Sequence, residues 1–246
     1  MTGKTFSRLR TQVLATALAV TMGAAGPALA GDSNGNFQIK VGISGVWTDD
    51  ETNSLVTSAG VDLLAAGASA STDDMTLPTL TLTYFFNRNV AVELFCCFGQ
   101  TSIVGEGLIS GQGEIAETWM FPPILTLQYH FDGLGPLRPY VGAGVEWIHY
   151  FDTKPGSNGL GAVAVDLDDS FGFALQAGVD FDLGGGWSLG LDVKKVWEDT
   201  DVTWRFADGS RITAEHDIDP LIATANLGYR FNIEDLLGRR EAAPLK

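Results

Sequence analysis

The sequence predicts an all-β fold, an eight-stranded antiparallel transmembrane β-barrel of the outer-membrane type with long outer loops and short periplasmic turns. Three observations carry this expectation. Segments of about ten residues or more alternate apolar side chains with small or polar ones, the period of a strand whose faces meet different surroundings. The connections between them run long, short, long, short, long, short, long. Aromatic residues gather at both ends of the segments, as two interfacial belts require.

The chain opens on a stretch outside the barrel. Lys4, Arg8 and Arg10 precede an apolar run from Val13 to Ala25, and Ala28-Leu29-Ala30 forms a small-x-small cleavage site before Gly31. Residues 1–30 therefore read as a cleaved export signal, 31–231 as the barrel and 232–246 as a periplasmic tail. Loss of the three basic residues moves the formal charge from −15 to −15 − 3 = −18, which argues against a nucleic-acid partner. No apolar run reaches the ~18 residues of a membrane helix, but a barrel hides its apolar residues at alternate positions. Cys96 and Cys97 are adjacent, so in a strand they point to opposite faces. They make neither a disulfide framework nor a metal pattern, and no metal or cofactor is expected.

The first strand is read over 37–48, with Ile39, Val41 and Ile43 toward lipid and Gln38, Lys40, Gly42 and Ser44 inward. A loop rich in Asp, Ser, Thr, Ala and Gly follows over 49–76. The second strand, 77–86, turns Leu80, Leu82 and Tyr84 outward and Thr79, Thr81 and Thr83 inward; Asn87-Arg88-Asn89 is a tight turn. The third, 90–101, places Glu93 inward. A Gly-rich segment over 103–116 leads to a central hairpin, strands 118–131 and 139–151 about a Gly/Pro turn. In it Leu125, Leu127 and Tyr129 oppose Thr126, Gln128 and His130, and Pro122-Pro123 must interrupt the ladder. After a second Gly-rich segment, 152–168, come strands 169–182 and 187–201. The last long loop has its tip at Asp208-Gly209, and the eighth strand is 217–231.

One belt lies at the short-turn ends: Tyr84, Phe86, Tyr129, Phe131, Phe181, Trp187, Tyr229 and Phe231. The other lies toward the long loops: Trp47, Trp119, Phe121, Trp147, Phe151, Trp197 and Trp204. His149 and Lys195 fall on the lipid face near the loops, where a long or amphipathic side chain reaches the headgroups. A soluble barrel would reverse the two faces.

Inward residues sort by height. Lys40, Glu93, Gln128, Asp180, Asp192, Asn226 and Arg230 lie toward the periplasm. Eight strands leave room only for side chains, so these residues read as a plug of paired charges. Leu77, Met120, Pro122, Ile124, Ile148 and Ile222 lie higher and read as an apolar cup that favours a hydrophobic solute over water. With the plug below, such a solute would leave sideways into the lipid, and the two prolines make the fourth strand the expected gap. A purely structural filling of the barrel is the competing reading.

Several segments, taken in order, resemble the OmpW (outer membrane protein W) family. They are Pro122-Pro123 running to Gln128-Tyr129-His130-Phe131, and Arg138-Pro139-Tyr140-Val141-Gly142-Ala143-Gly144-Val145. Asp169-Ser170-Phe171-Gly172, Gln176-Ala177-Gly178-Val179-Asp180, Ile218-Asp219-Pro220 and Gly228-Tyr229-Arg230-Phe231 follow. The resemblance implies a monomeric barrel with a narrow apolar channel that admits small hydrophobic compounds across the outer membrane. It departs from the pattern after Phe231, the final aromatic that the barrel-assembly machinery would read, because fifteen residues follow it.

The expected function is passive transport of small hydrophobic molecules; the alternative is a non-transporting structural, surface-interaction or receptor barrel. Expected partners are outer-membrane lipid, lipopolysaccharide, the assembly machinery and the solutes. Of the histidines His130, His149 and His216, only His216 has flanking acids, Glu215 and Asp217, and no nucleophile-elbow pattern accompanies it. No catalytic residues are expected. The loop carboxylates, Asp49, Asp50, Asp73 and Asp74 among them, show no cation-loop spacing and read as a solvated acidic face.

Overall fold

The structure is a computed structural model that describes residues 35–157 and 160–232. The export signal expected over 1–30 and the tail beyond Asn232 lie outside the described residues. In chain order the strands are β1 (Phe37–Trp47), β2 (Glu51–Thr57), β3 (Ala68–Thr72), β4 (Met75–Phe85), β5 (Val90–Cys96), β6 (Gly99–Gly107), β7 (Glu114–Phe121), β8 (Ile124–His130), β9 (Leu137–Pro155), β10 (Ala164–Leu167), β11 (Ser170–Gly184), β12 (Trp187–Trp197), β13 (Asp199–Arg205), β14 (Arg211–Asp217) and β15 (Leu221–Phe231).

Eight of them close a barrel in the order β1, β4, β5, β8, β9, β11, β12, β15 and back to β1, every pair antiparallel. The closing ladder, β1 with β15, runs from Phe37 opposite Phe231 to Trp47 opposite Leu221. Closure pairs each of the eight strands on both sides over most of its length, as a structure surrounded by hydrocarbon requires. Among the described residues no helix is long and apolar enough to cross a membrane.

Alternation decides the two faces. On β4, Thr79, Thr81 and Thr83 are buried while Leu80 and Tyr84 lie uncovered; on β8, Thr126, Gln128 and His130 are buried while Leu125, Leu127 and Tyr129 are not. Glycine lets bulky inward side chains pass. Gly178 pairs with Tyr140, and a Cβ at this glycine would fall 2.4 Å from the Tyr140 ring. At Gly144 a Cβ would fall 1.9 Å from the Leu125 carbonyl oxygen.

The long loops expected from the sequence are mostly strands. β3, β6, β7 and the upper end of β9 form one wall above the ring, and β10, β13, β14 and β2 form a second. Leu55, Ile103, Ile115, Val165, Val202 and Trp204 share a second apolar core there. Ala, Ser, Thr and Gly runs resemble loops in composition, yet small residues allow closely packed strands. Trp204 is thereby withdrawn from the outer belt: it is 1% exposed and its Nε1 donates to the Ile115 carbonyl at 3.0 Å. The other loop-end tryptophans, Trp47, Trp119, Trp147 and Trp197, face outward. At the tip of the β13–β14 hairpin, Ser210 donates to Asp208 through its N–H (2.9 Å) and its hydroxyl (2.6 Å), holding that carboxyl below its usual range.

Two breaks interrupt the ring. Pro122-Pro123 separate β7 from β8, but β9 spans both strands, and Trp147 N–H donates to the Pro123 carbonyl at 3.1 Å. The expected gap at these prolines is therefore bridged. The wider break lies elsewhere. β4 pairs with β5 only from Leu80, opposite Cys96, while β6 pairs with β7 and β3. Among the described residues no ladder joins β4 over 75–79 to β6. Pro78, which has no N–H to offer, sits in that stretch, paired on its other side with Ile43 of β1.

Candidate functional site

The inner wall is layered. At the periplasmic mouth the Arg230 guanidinium lies 3.6 Å from the centre of the Phe85 ring, and its Nε donates to the Gly35 carbonyl at 2.9 Å. It is half-buried and lines the mouth together with Gln38, Arg138, Asp180 and Asp182.

Above it, Lys40 Nζ meets Asp180 Oδ1 at 2.9 Å and lies 4.9 Å from the centre of the Tyr140 ring. Lys194 Nζ meets Glu93 Oε1 at 3.3 Å and donates to Asp192. Gln176 ties the two acids together, its Nε2 donating to Glu93 (2.8 Å) and Asp192 (2.6 Å). Gln176 Oε1 accepts from Thr126 Oγ1 (2.8 Å) and Gln128 Nε2 (3.0 Å). Tyr140 hydroxyl adds a bond to Asp192 at 3.0 Å. Removing these charges from water costs several kcal/mol each, and the partners offset that cost. Asn226 is buried beside them, with its Oδ1 making no hydrogen bond.

Lys194, Gln176 and Tyr140 were absent from the expected plug. Their inward parity is legible in the sequence; their shared height depends on the stagger between β9, β11 and β12, which is not.

Next comes an apolar layer that includes Leu77, Phe95, Ile124, Ala174, Val196 and Ile222. Ile124 is completely covered, so it belongs to the floor and not, as expected, to the wall of a cup. Above this floor lies a cavity bounded by Leu77, Met120, Pro122, Ile148 and Ile222. Its volume is about 50 Å³. It is narrow and mostly apolar. Met75, Leu77 and Met120 stand where the β4–β6 ladder is missing: a Cβ at Gly99 would lie 3.3–3.5 Å from all three. Opposite, the wall carries Glu146, Tyr150, Glu198, Thr200 and His216. Among the described residues no group of three or more His, Cys, Asp or Glu is arranged to hold a metal ion.

A closed eight-stranded ring, uncovered and apolar outside, belted by aromatics and filled with paired charges, is an outer-membrane β-barrel. The chain belongs to the OmpW family, which it matches over residues 33–231. It is 31% identical over 203 residues to outer membrane protein AlkL of Ectopseudomonas oleovorans, covering 82% of this chain and 85% of that one. It is 28% identical over 166 residues to the dibenzothiophene metabolism operon protein PahQ of Pseudomonas aeruginosa, 67% and 76% of the two chains. In structure it is similar to outer membrane protein OprG of Pseudomonas aeruginosa, with a TM-score of 0.74 and 27% identity, covering 83% of this chain and all of that one. The protein resides in the outer membrane.

Proposed function

We propose that the barrel admits small hydrophobic molecules through its upper cavity and releases them sideways into the bilayer. The observation that supports this most is the stacking of an apolar cavity on a sealed polar network. A solute cannot continue downward past the Lys40–Asp180 and Lys194–Glu93 pairs without breaking them. It can pass between β4 and β6, where no ladder hydrogen bonds have to be broken. The operon named for a relative, dibenzothiophene metabolism, handles an apolar compound and agrees with this reading.

The reading contains no catalytic step. His130 is bonded to Gln128 at 2.9 Å inside the plug, and His149 to Asp169 at 2.9 Å on the outer face. His216 stands among Thr52, Thr72 and Asp50. The narrowness of the cavity favours a second reading, a non-transporting barrel whose outer walls are the working surface.

Uptake of diphenylhexatriene, an apolar fluorophore, by Gram-negative cells producing the barrel separates the two. Transport predicts faster uptake with the natural chain than with Ile222→Glu, which puts a charge in the cavity. Equal rates would sink transport and leave the second reading.

A further inference from the structure

The cavity has two unlike walls. Met75, Leu77, Phe95 and Met120 line one side; Glu146, Glu198 and Tyr150 stand on the other. Glu146 and Glu198 flank Gly172 on the inner face: Gly172 pairs with Glu146 across β9 and β11, and its Cβ position lies 3.0 Å from Glu198 Cβ. Glu146 is 2% exposed, and its Oε2 has no hydrogen-bond partner. Thr101 Oγ1, on the same cavity, has none either. A buried carboxylate oxygen left without a donor is costly, and a donor that fills the space recovers that cost.

Charge points the same way. The buried lumen holds five acids, Glu93, Asp180, Asp192, Glu146 and Glu198, and only two lysines, Lys40 and Lys194. The two lysines are already engaged with Asp180, Glu93 and Asp192 in the layer below. Among the described residues no lysine pairs with Glu146 or Glu198; Glu198 Oε2 accepts only a long bond from Ser170 Oγ at 3.5 Å.

We propose that this cavity is a site for amphipathic amines: an aliphatic chain against Met75, Leu77 and Met120, with its ammonium between Glu146 and Glu198. The proposal rests on the transport reading and deepens it by naming a solute class. An alkylamine is protonated at neutral pH, as a lysine side chain is. It supplies both the missing donor and the missing charge, whereas an alcohol supplies only the donor and a fatty acid adds repulsion.

The test uses the barrel in phosphatidylcholine nanodiscs with labelled isoleucine methyls, titrated with octylamine, 1-octanol and octanoate. Octylamine is expected to half-saturate the shifts of Ile148 and Ile222 at a concentration about tenfold below that of 1-octanol, with octanoate weakest. In the double variant Glu146→Gln, Glu198→Gln the octanol response should persist, which shows the cavity intact, while the preference for the amine disappears. Equal binding of amine and alcohol by the natural chain, or a preference that survives in the double variant, would overturn the amine site alone. If neither octanol nor octylamine moves Ile148 and Ile222, the transport reading fails with it.

Discussion

Lys40 Nζ and Asp180 Oδ1 meet 2.9 Å apart across the lumen, on strands that are not neighbours in the ring, and both side chains are sealed from water. The bond therefore ties β1 to β11 through the interior as well as around the wall. Removing one partner strands a buried charge. Lys40→Met is expected to cost about 3–5 kcal/mol, and Lys40→Met with Asp180→Leu to recover most of it. Guanidinium unfolding of the barrel in lipid vesicles measures both; a double variant no more stable than the single one would contradict the pairing argument.

The outer face answers to hydrocarbon. Leu191 is 62% uncovered and lies mid-strand on β12, far from either aromatic belt. Leu191→Arg should cost about 2–4 kcal/mol, and Trp47→Arg, at the loop-end belt, only about 0–1 kcal/mol from charge placement. The same unfolding measurement, compared between the two, reads the depth dependence.

Gly144 offers a steric test. A Cβ there falls 1.9 Å from the Leu125 carbonyl oxygen and 2.7 Å from Thr126 Cα, both backbone atoms that cannot give way cheaply. Gly144→Ala is expected to lose about 1–3 kcal/mol or more. Gly111→Ala, with nothing within 4 Å, should be neutral. The fraction refolded, read from the shift of the heat-modifiable band in gel electrophoresis, distinguishes them.

The opening between β4 and β6 predicts a blocking substitution. Gly99→Leu would place a branched side chain against Leu77, Met75 and Met120, where a Cβ alone already comes within 3.3–3.5 Å of all three. Diphenylhexatriene uptake should fall toward that of cells without the barrel while the unfolding midpoint holds. Undiminished uptake would mean the solute leaves by another route.

Strand existence, face and order were legible wherever alternation was strong. Leu125, Leu127 and Tyr129 against Thr126, Gln128 and His130 is a pattern with one folding solution when one side is lipid. The hairpin walls above the ring were not legible. Leu55, Ala70, Ile115 and Val202 lie on short strands whose apolar face is assembled from several distant segments. No single segment carries enough periodicity to show it. Pro78 is a visible signal of the break: a proline inside a strongly alternating strand marks an edge left unpaired on one side.

By itself the sequence determined which side of each barrel strand meets hydrocarbon, because that choice depends only on odd and even positions along one segment. It determined the family as well, through motifs that occur in order. Only the tertiary structure decided which inward residues share a height, and so that Gln176 joins Glu93 to Asp192, that Ile124 is floor and not wall, and that Arg230 guards the mouth. It also decided that the ring is unpaired beside Leu77 instead of at Pro122. Stagger between strands is a property of pairs, set by closure of the whole ring, and no strand's own sequence contains it.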